Sequence, residues 1–245
     1  MKTFGHRTSL AVDVLIAVMV LGAWMCMVFK LGDNGTISQG GFKNLKYFTV
    51  LSNLLAAAAS ILNIVYTTRA IKRGAGGASS GAQNGINAGS GISASASINA
   101  QIPGWVWKFK YAAATAVALT FIVVVSFLGP VYQIPGLYSG ANLWFHVVVP
   151  IVSVLAVIFG PGPRLEFRDS FRTLIPVLIY GAGYIANLLI NGMGDAPYSN
   201  DWYGFLYWGW GIAFVMFAIM ILVSWGVALG MRALHNRLNG AKNDN

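Results

Sequence analysis

Two short segments of this chain carry groups able to do covalent chemistry. They are Thr49, within KYFTVLSNLL, and His146, within LWFHVVVPI, each a few residues inside the start of a hydrophobic run. A threonine hydroxyl is a weak nucleophile at neutral pH and needs an adjacent base, and a neutral imidazole is suited to take its proton. Such a pair does acyl transfer. Thr49, Ser52 and Asn53 stand at i, i+3 and i+4, one face of a helix, and Asn142 and His146 share an i, i+4 spacing. Ser52, Asn53 and Asn142 are therefore candidates to donate to a developing oxyanion or to orient the ring. A purely structural use of the same residues is equally available. Thr49 would bond the carbonyl four residues before it, and His146 would bond across helices as packing glue.

The elements that must position these side chains follow from hydrophobicity. With 56% hydrophobic and 9% charged residues over 245 positions and a mean hydropathy of +0.64, the chain lies outside the range of soluble domains, where about a quarter of residues are charged. Six stretches reach or approach the ~20 residues needed to cross ~30 Å of hydrocarbon. They are predicted at 9–29, 45–68, 105–129, 141–159, 172–191 and 204–231. The first lacks a small-residue cleavage site and reads as a retained span rather than a signal peptide. The expected fold is all-α: one polytopic membrane domain over 1–245, a bundle of about six transmembrane helices. From these starts Thr49 lies ~6 Å and His146 ~8 Å deep at ~1.5 Å per residue, less than a turn apart. If the spans alternate in direction, both starts face one side of the membrane.

The formal net charge of +9 raises nucleic acid as a partner, but its distribution argues for orientation instead. Thirteen of the sixteen Lys and Arg residues fall on the side of the termini, leaving Lys30, Lys43 and Lys46 on the other. The excess of basic residues in cytoplasmic segments then places the N- and C-termini in the cytoplasm. Anionic lipid is an expected contact and nucleic acid is not.

Residues 74–103, rich in Gly, Ser, Ala and Asn and free of charge, read as a flexible cytoplasmic linker. They contain Gly77-Ala78-Ser79-Ser80-Gly81, a formal nucleophile-elbow pattern without the strand and helix that the motif requires. No glycine precedes a lysine in a phosphate loop and no Cys or His pair has ligand spacing, so no cofactor and no metal is expected. Cys26 is alone and reads as packing. Asn34-Gly35-Thr36 is a glycosylation sequon that matters only in a secretory pathway. His6 and His235 read as interfacial. Gly226 and Gly230 form a small-xxx-small step through which a neighbouring helix, or a second copy, could approach.

Several other polar residues lie in or beside the spans. Asp13, near the cytoplasmic end of the first, is expected to pair with a basic residue such as Arg7, or to act as a relay. Pro150 and Pro176 are expected to kink the fourth and fifth spans. Asn187, Asn191, Asp195 and Tyr198 are candidates for a cavity mouth, and Trp202, Tyr203, Tyr207, Trp208 and Trp210 for an outer aromatic belt. A small transporter or channel would line its path with Thr49, Asn53, Asn142 and His146 and use Asp13 for coupling. That reading needs polar groups through the midplane, and the inner half of the fourth span offers only Ser153.

Lys46-Tyr47-Phe48-Thr49 and His146-Val147-Val148-Val149-Pro150 together resemble the androgen-induced-protein family of multispan membrane hydrolases, whose pattern is K-[FY]-[LF]-T on one helix and H-x-V-x-P on another. The resemblance covers most of the chain outside the linker. It implies an intramembrane threonine hydrolase of fatty acid esters of hydroxy fatty acids or similar lipid esters, with Thr49 as nucleophile and His146 as base. Ser52-Asn53 and the long linker depart toward a prokaryotic branch, which implies a bacterial plasma membrane. Membrane lipids, including a lipid-ester substrate reached laterally, are the partners expected.

Overall fold

The computed structural model describes residues 3–29, 31, 38–80, 98–132, 135–195 and 199–240. Its elements are all helical, with no strand among the described residues. Six helices are long and apolar enough to cross a membrane: His6–Phe29, Phe48–Arg73, Gly104–Leu128, Gly140–Ile158, Phe167–Asn191 and Phe205–Asn239. This is a membrane protein with an all-α bundle. The hydrophobic runs located these spans to within a few residues, except that the second ends five residues later, the fifth starts five earlier and the sixth ends eight later than predicted. The second helix runs on to Ser80, since nothing in KRGAGGASS supplies a proline to stop it. Residues 98–101 form a helical turn. Residues 81–97 of the linker, including Gly81 of the elbow pattern, and the Asn34 sequon lie outside the described residues.

The third span is the centre of the bundle. Ala112, Ala113, Ala114, Ala116 and Ala118 are all buried, and their small side chains let neighbouring backbones approach closely where lipid supplies no hydrophobic drive between helices. It packs against the second, fourth, fifth and sixth spans, and the first leans on the second and fourth. In the third, 61% of the most apolar stretch is buried, against 17% in the sixth. The sixth therefore turns most of its surface to lipid.

The start of the first span and the end of the sixth meet at one end of this bundle. The Phe4 N–H donates to the Phe159 carbonyl at 2.7 Å. His235 reaches the carbonyls of Val157 and Pro163 at 2.8 and 3.0 Å through its two ring nitrogens. His235 is thus a buried clamp rather than an interfacial side chain, and His6 is likewise buried. Six crossings leave the Lys46–Phe48 corner and the 199–205 segment at the opposite end.

The helices are interrupted where proline dictates. Pro150 has no N–H, so the carbonyl of His146, four residues back, has no α-helical partner. The turn just before it, Trp144–Val148, widens to a π-helix, a distortion that recurs at functional sites. Pro176 does not kink a continuous helix. The fifth span breaks at Thr173–Leu174, and Pro176 sits in the first turn of the helix that restarts at Ile175, where its missing N–H costs nothing.

Near the termini the bundle buries an ion pair. Lys110 Nζ lies 2.7 Å from Asp13 Oδ1, and Asn63 Nδ2 donates to Asp13 Oδ2 at 2.6 Å. All three are buried, and they join the first, second and third spans. Arg7, the partner expected from sequence, is exposed. Lys110 lies about 1.7 turns into the third span, opposite Asp13 across the packed interface, whereas Arg7 sits on the same helix as Asp13, about 1.7 turns nearer the end. Removing one partner of a buried pair costs about 3–5 kcal/mol, because the other charge is left uncompensated. Lys110→Met should therefore lower the unfolding midpoint in detergent far more than the double variant Asp13→Asn/Lys110→Met. Equal losses in the two would show that the pair contributes only as packing.

Candidate functional site

Thr49 is the second residue of its helix, in the turn whose backbone N–H groups have no carbonyl one turn back. The start of that helix is held by a ring of side chains. The Phe48 N–H donates to the Tyr203 hydroxyl at 2.8 Å, Tyr203 bonds Tyr180, and the Tyr180 hydroxyl donates to the Lys46 carbonyl at 2.7 Å. Trp202 Nε1 donates to the Tyr180 oxygen at 3.1 Å. Burial pushes the Tyr203 hydroxyl well above the usual phenol range, so it remains a neutral group at physiological pH. Trp202 and Tyr203 are thus built into the site. Tyr207, Trp208 and Trp210 stay exposed as a belt should.

The Thr49 N–H makes no hydrogen bond among the described residues. Its side chain lines a cavity of about 70 Å³ with Thr120, Tyr180, Tyr203, Phe205 and Phe217. No hydrogen bond ties the Thr49 hydroxyl to the carbonyl four residues back, as packing glue would require. Thr120 does bond back, to Ala116, at 3.5 Å, and Ser52 donates to the Thr49 carbonyl at 3.1 Å.

Asn53 brings the two sequence motifs together. Its Nδ2 donates to the Thr49 carbonyl at 2.7 Å and to the Phe145 carbonyl at 3.0 Å. One amide nitrogen therefore holds the turn that bears Thr49 against the turn that bears His146. In the π-turn, His146 is buried with Nδ1 at 2.7 Å from the Leu137 carbonyl. A carbonyl only accepts, so Nδ1 carries the proton and the neutral ring keeps its lone pair on Nε2. That is the tautomer a general base needs. No hydrogen bond joins Thr49 to His146 in this structure.

Other sequence-derived candidates take different places. Asn53 spends both amide hydrogens on backbone carbonyls, Asn142 Nδ2 donates to Gly136 at 2.7 Å, and Ser52 bonds Thr49 and Thr120. All three position the site; Asn53 and Ser52 have no donor left for an oxyanion, whereas Asn142 spends only one of its two amide hydrogens. Asn53 Oδ1 and Asn142 Oδ1 are buried acceptors without a hydrogen-bond partner. Asn187, Asn191 and Asp195 do not line the cavity at Thr49. Asn191 donates to Asn187 at 2.9 Å on an exposed helix end, Asp195 is exposed, and Tyr198 lies outside the described residues. Tyr180, Tyr203 and Phe205 occupy the mouth instead, because the 199–205 segment folds over the start of the second helix. Gly226 and Gly230 face outward, with nothing of this chain close to where a Cβ would stand. Tyr180 and the Leu137 carbonyl were not legible in sequence, since one reads as an ordinary core aromatic and the other is a backbone group in a loop.

Comparison with known proteins found no matching family model, no similar curated protein and no similar solved structure.

If Asn53 couples the two motifs, Asn53→Leu leaves the Phe145 carbonyl buried without its donor, at a cost of about 1–3 kcal/mol. The unfolding midpoint should fall accordingly, while Asn187→Leu, at a half-exposed position, should leave it nearly unchanged. A negligible shift in Asn53→Leu would show that the bridge adds little.

Proposed function

We propose that the protein is an intramembrane lipid-ester hydrolase with Thr49 as nucleophile and His146 as general base. What supports this most directly is the Asn53 bridge, which holds the Thr49 turn against a histidine whose tautomer is set by the Leu137 carbonyl. The side chains would close on each other in the substrate complex, as catalytic hydrogen bonds that are long or absent in a free enzyme commonly do. His146 Nε2 takes the Thr49 proton as the oxygen attacks the ester carbonyl. The C–O bond to the alcohol portion then breaks, the alcohol leaves with that proton, and an acyl-threonine remains. Water attacks the acyl carbon, giving its proton to His146, and the acid and free Thr49 are released.

The donor best placed for the oxyanion is the Thr49 N–H, at the positive end of the second helix. Asn53 Oδ1 and Asn142 Oδ1 are suited to hold the hydrolytic water, since a buried acceptor left unpaired costs about 1–3 kcal/mol. The apolar cavity walls favour a long acyl chain. Fatty acid esters of hydroxy fatty acids, the substrates that the family resemblance implies, fit this description. A bacterial plasma membrane, with the termini on its cytoplasmic side, belongs to the same reading.

The transporter alternative needs a polar route to the Asp13–Lys110 pair. Residues 54–59 of the second span and 147–152 of the fourth are all apolar, a layer about 10 Å thick at 1.5 Å per residue. That layer weighs against it.

Labelling of the detergent-purified protein with a fluorophosphonate probe tests the reading. Wild type should label, Thr49→Ala should not, and His146→Ala should slow labelling at least about 100-fold, the range general-base removal commonly costs. Equal labelling of Thr49→Ala with an intact fold would remove Thr49 from the chemistry.

A further inference from the structure

A second cavity, about 560 Å³ and open to the side, runs between the second, third and fifth spans. It differs from the Thr49 cavity in having a charged end. Leu51, Leu55, Phe109, Ile175 and Ile179 form apolar walls, with Lys108 and Arg172 at one end and Phe48 and Tyr180 at the other. The groove stays open because Ala112 offers only a methyl group as its floor and because the fifth helix breaks at Thr173–Leu174, beside Pro176. Its charged end lies at the level of the chain termini.

The charges there do not cancel. Lys108 Nζ at 3.1 Å and Arg172 Nη1 at 2.7 Å both bond Asp169 Oδ1, so one carboxylate serves two cations. The neighbouring Glu166 is already paired with Arg168. Lys108 is 32% and Arg172 50% exposed, so both keep donors free for a further anion, while Asp169 at 1% exposure fixes them in place. A guanidinium beside an ammonium matches the oxygens of a phosphodiester. Basic pockets between helices at a membrane surface take acidic headgroups. In hydrocarbon the apolar part of such a groove is filled by an acyl chain.

We propose that this groove is a binding site for an anionic phospholipid, with the phosphate at Lys108 and Arg172 and one acyl chain along Phe109, Leu55 and Ile179. The net positive end selects lipids of net negative charge over zwitterionic ones, whose own ammonium offsets the phosphate. The groove adjoins the Thr49 cavity, sharing Phe48 and Tyr180 with it, but Thr49 does not line it, and the proposal does not depend on the hydrolase reading.

Native mass spectrometry of the full chain tests it, after delipidation and equilibration with phosphatidylglycerol or phosphatidylcholine of identical acyl chains. Wild type should retain phosphatidylglycerol at least tenfold more than phosphatidylcholine. Lys108→Gln/Arg172→Gln should bring the two to parity, and Lys72→Gln/Arg73→Gln, at exposed cations remote from the groove, should leave the preference intact. Ala112→Phe, which fills the groove floor and leaves both cations, should reduce retention of both lipids, so the proposal remains testable if the charge variant does not fold. Thr49→Ala should change nothing. Equal retention of the two lipids by wild type, an unaltered preference in both groove variants, or retention of oleate in place of phosphatidylglycerol would overturn it.

Discussion

A bundle surrounded by hydrocarbon has no water to satisfy its polar groups, so each buried donor or acceptor must find its partner inside the chain. That constraint explains where the helices of this protein touch. In the half near the termini it joins Asp13, Asn63 and Lys110 across three spans. In the other half it sends the amide of Asn53 to two carbonyls on different helices. Each polar set fixes rotation and depth for the spans that share it, and the alanine-rich face of the third span lets them pack closely enough for the bonds to form.

The two sets play different parts. The ion pair is enclosed, with each charge neutralised by the other, which suits a structural pin, although Asn63 Oδ1 beside it has no hydrogen-bond partner. The Asn53 region retains unpartnered acceptors, a histidine with one nitrogen committed, and a threonine facing a cavity. Natural proteins concentrate such incompletely satisfied polarity at sites of function, because the unmade bonds are there to be completed by a ligand. The π-turn at Trp144–Val148 belongs to the same pattern. Pro150 removes one helical bond, and the resulting widening displaces His146 from the phase a regular helix would give it.

Aromatic residues divide between the two roles that membranes ask of them. Tyr207 and Trp208 sit exposed near the start of the sixth span, as residues anchoring at a headgroup layer do. Tyr180, Tyr184, Trp202, Tyr203 and Phe205 instead pack ring against ring, and Tyr180, Tyr203 and Phe205 line the Thr49 cavity. Their polar tips tie the 199–205 segment to the start of the second helix, so this loop sets the position of Thr49 as firmly as its own helix does.

The sequence alone determined the number and approximate position of the spans and the all-α class, because the cost of burying polar groups in hydrocarbon is written in every run of residues. The depth match expected for Thr49 and His146 came from predicted starts; the spans begin at Phe48 and Gly140, which puts Thr49 one residue and His146 six residues in, about 7.5 Å apart at ~1.5 Å per residue. The sequence could not determine which faces meet. Rotation about each helix axis depends on pairings between distant residues, such as Asn53 with Phe145 or Lys110 with Asp13, that no local pattern encodes. For that reason Arg7 looked like the partner of Asp13, Asn187 like a cavity residue and Tyr203 like a belt residue. The tertiary structure decided all three, and for Asp13 and Tyr203 it did so through bonds whose partners lie 50 and 155 residues apart.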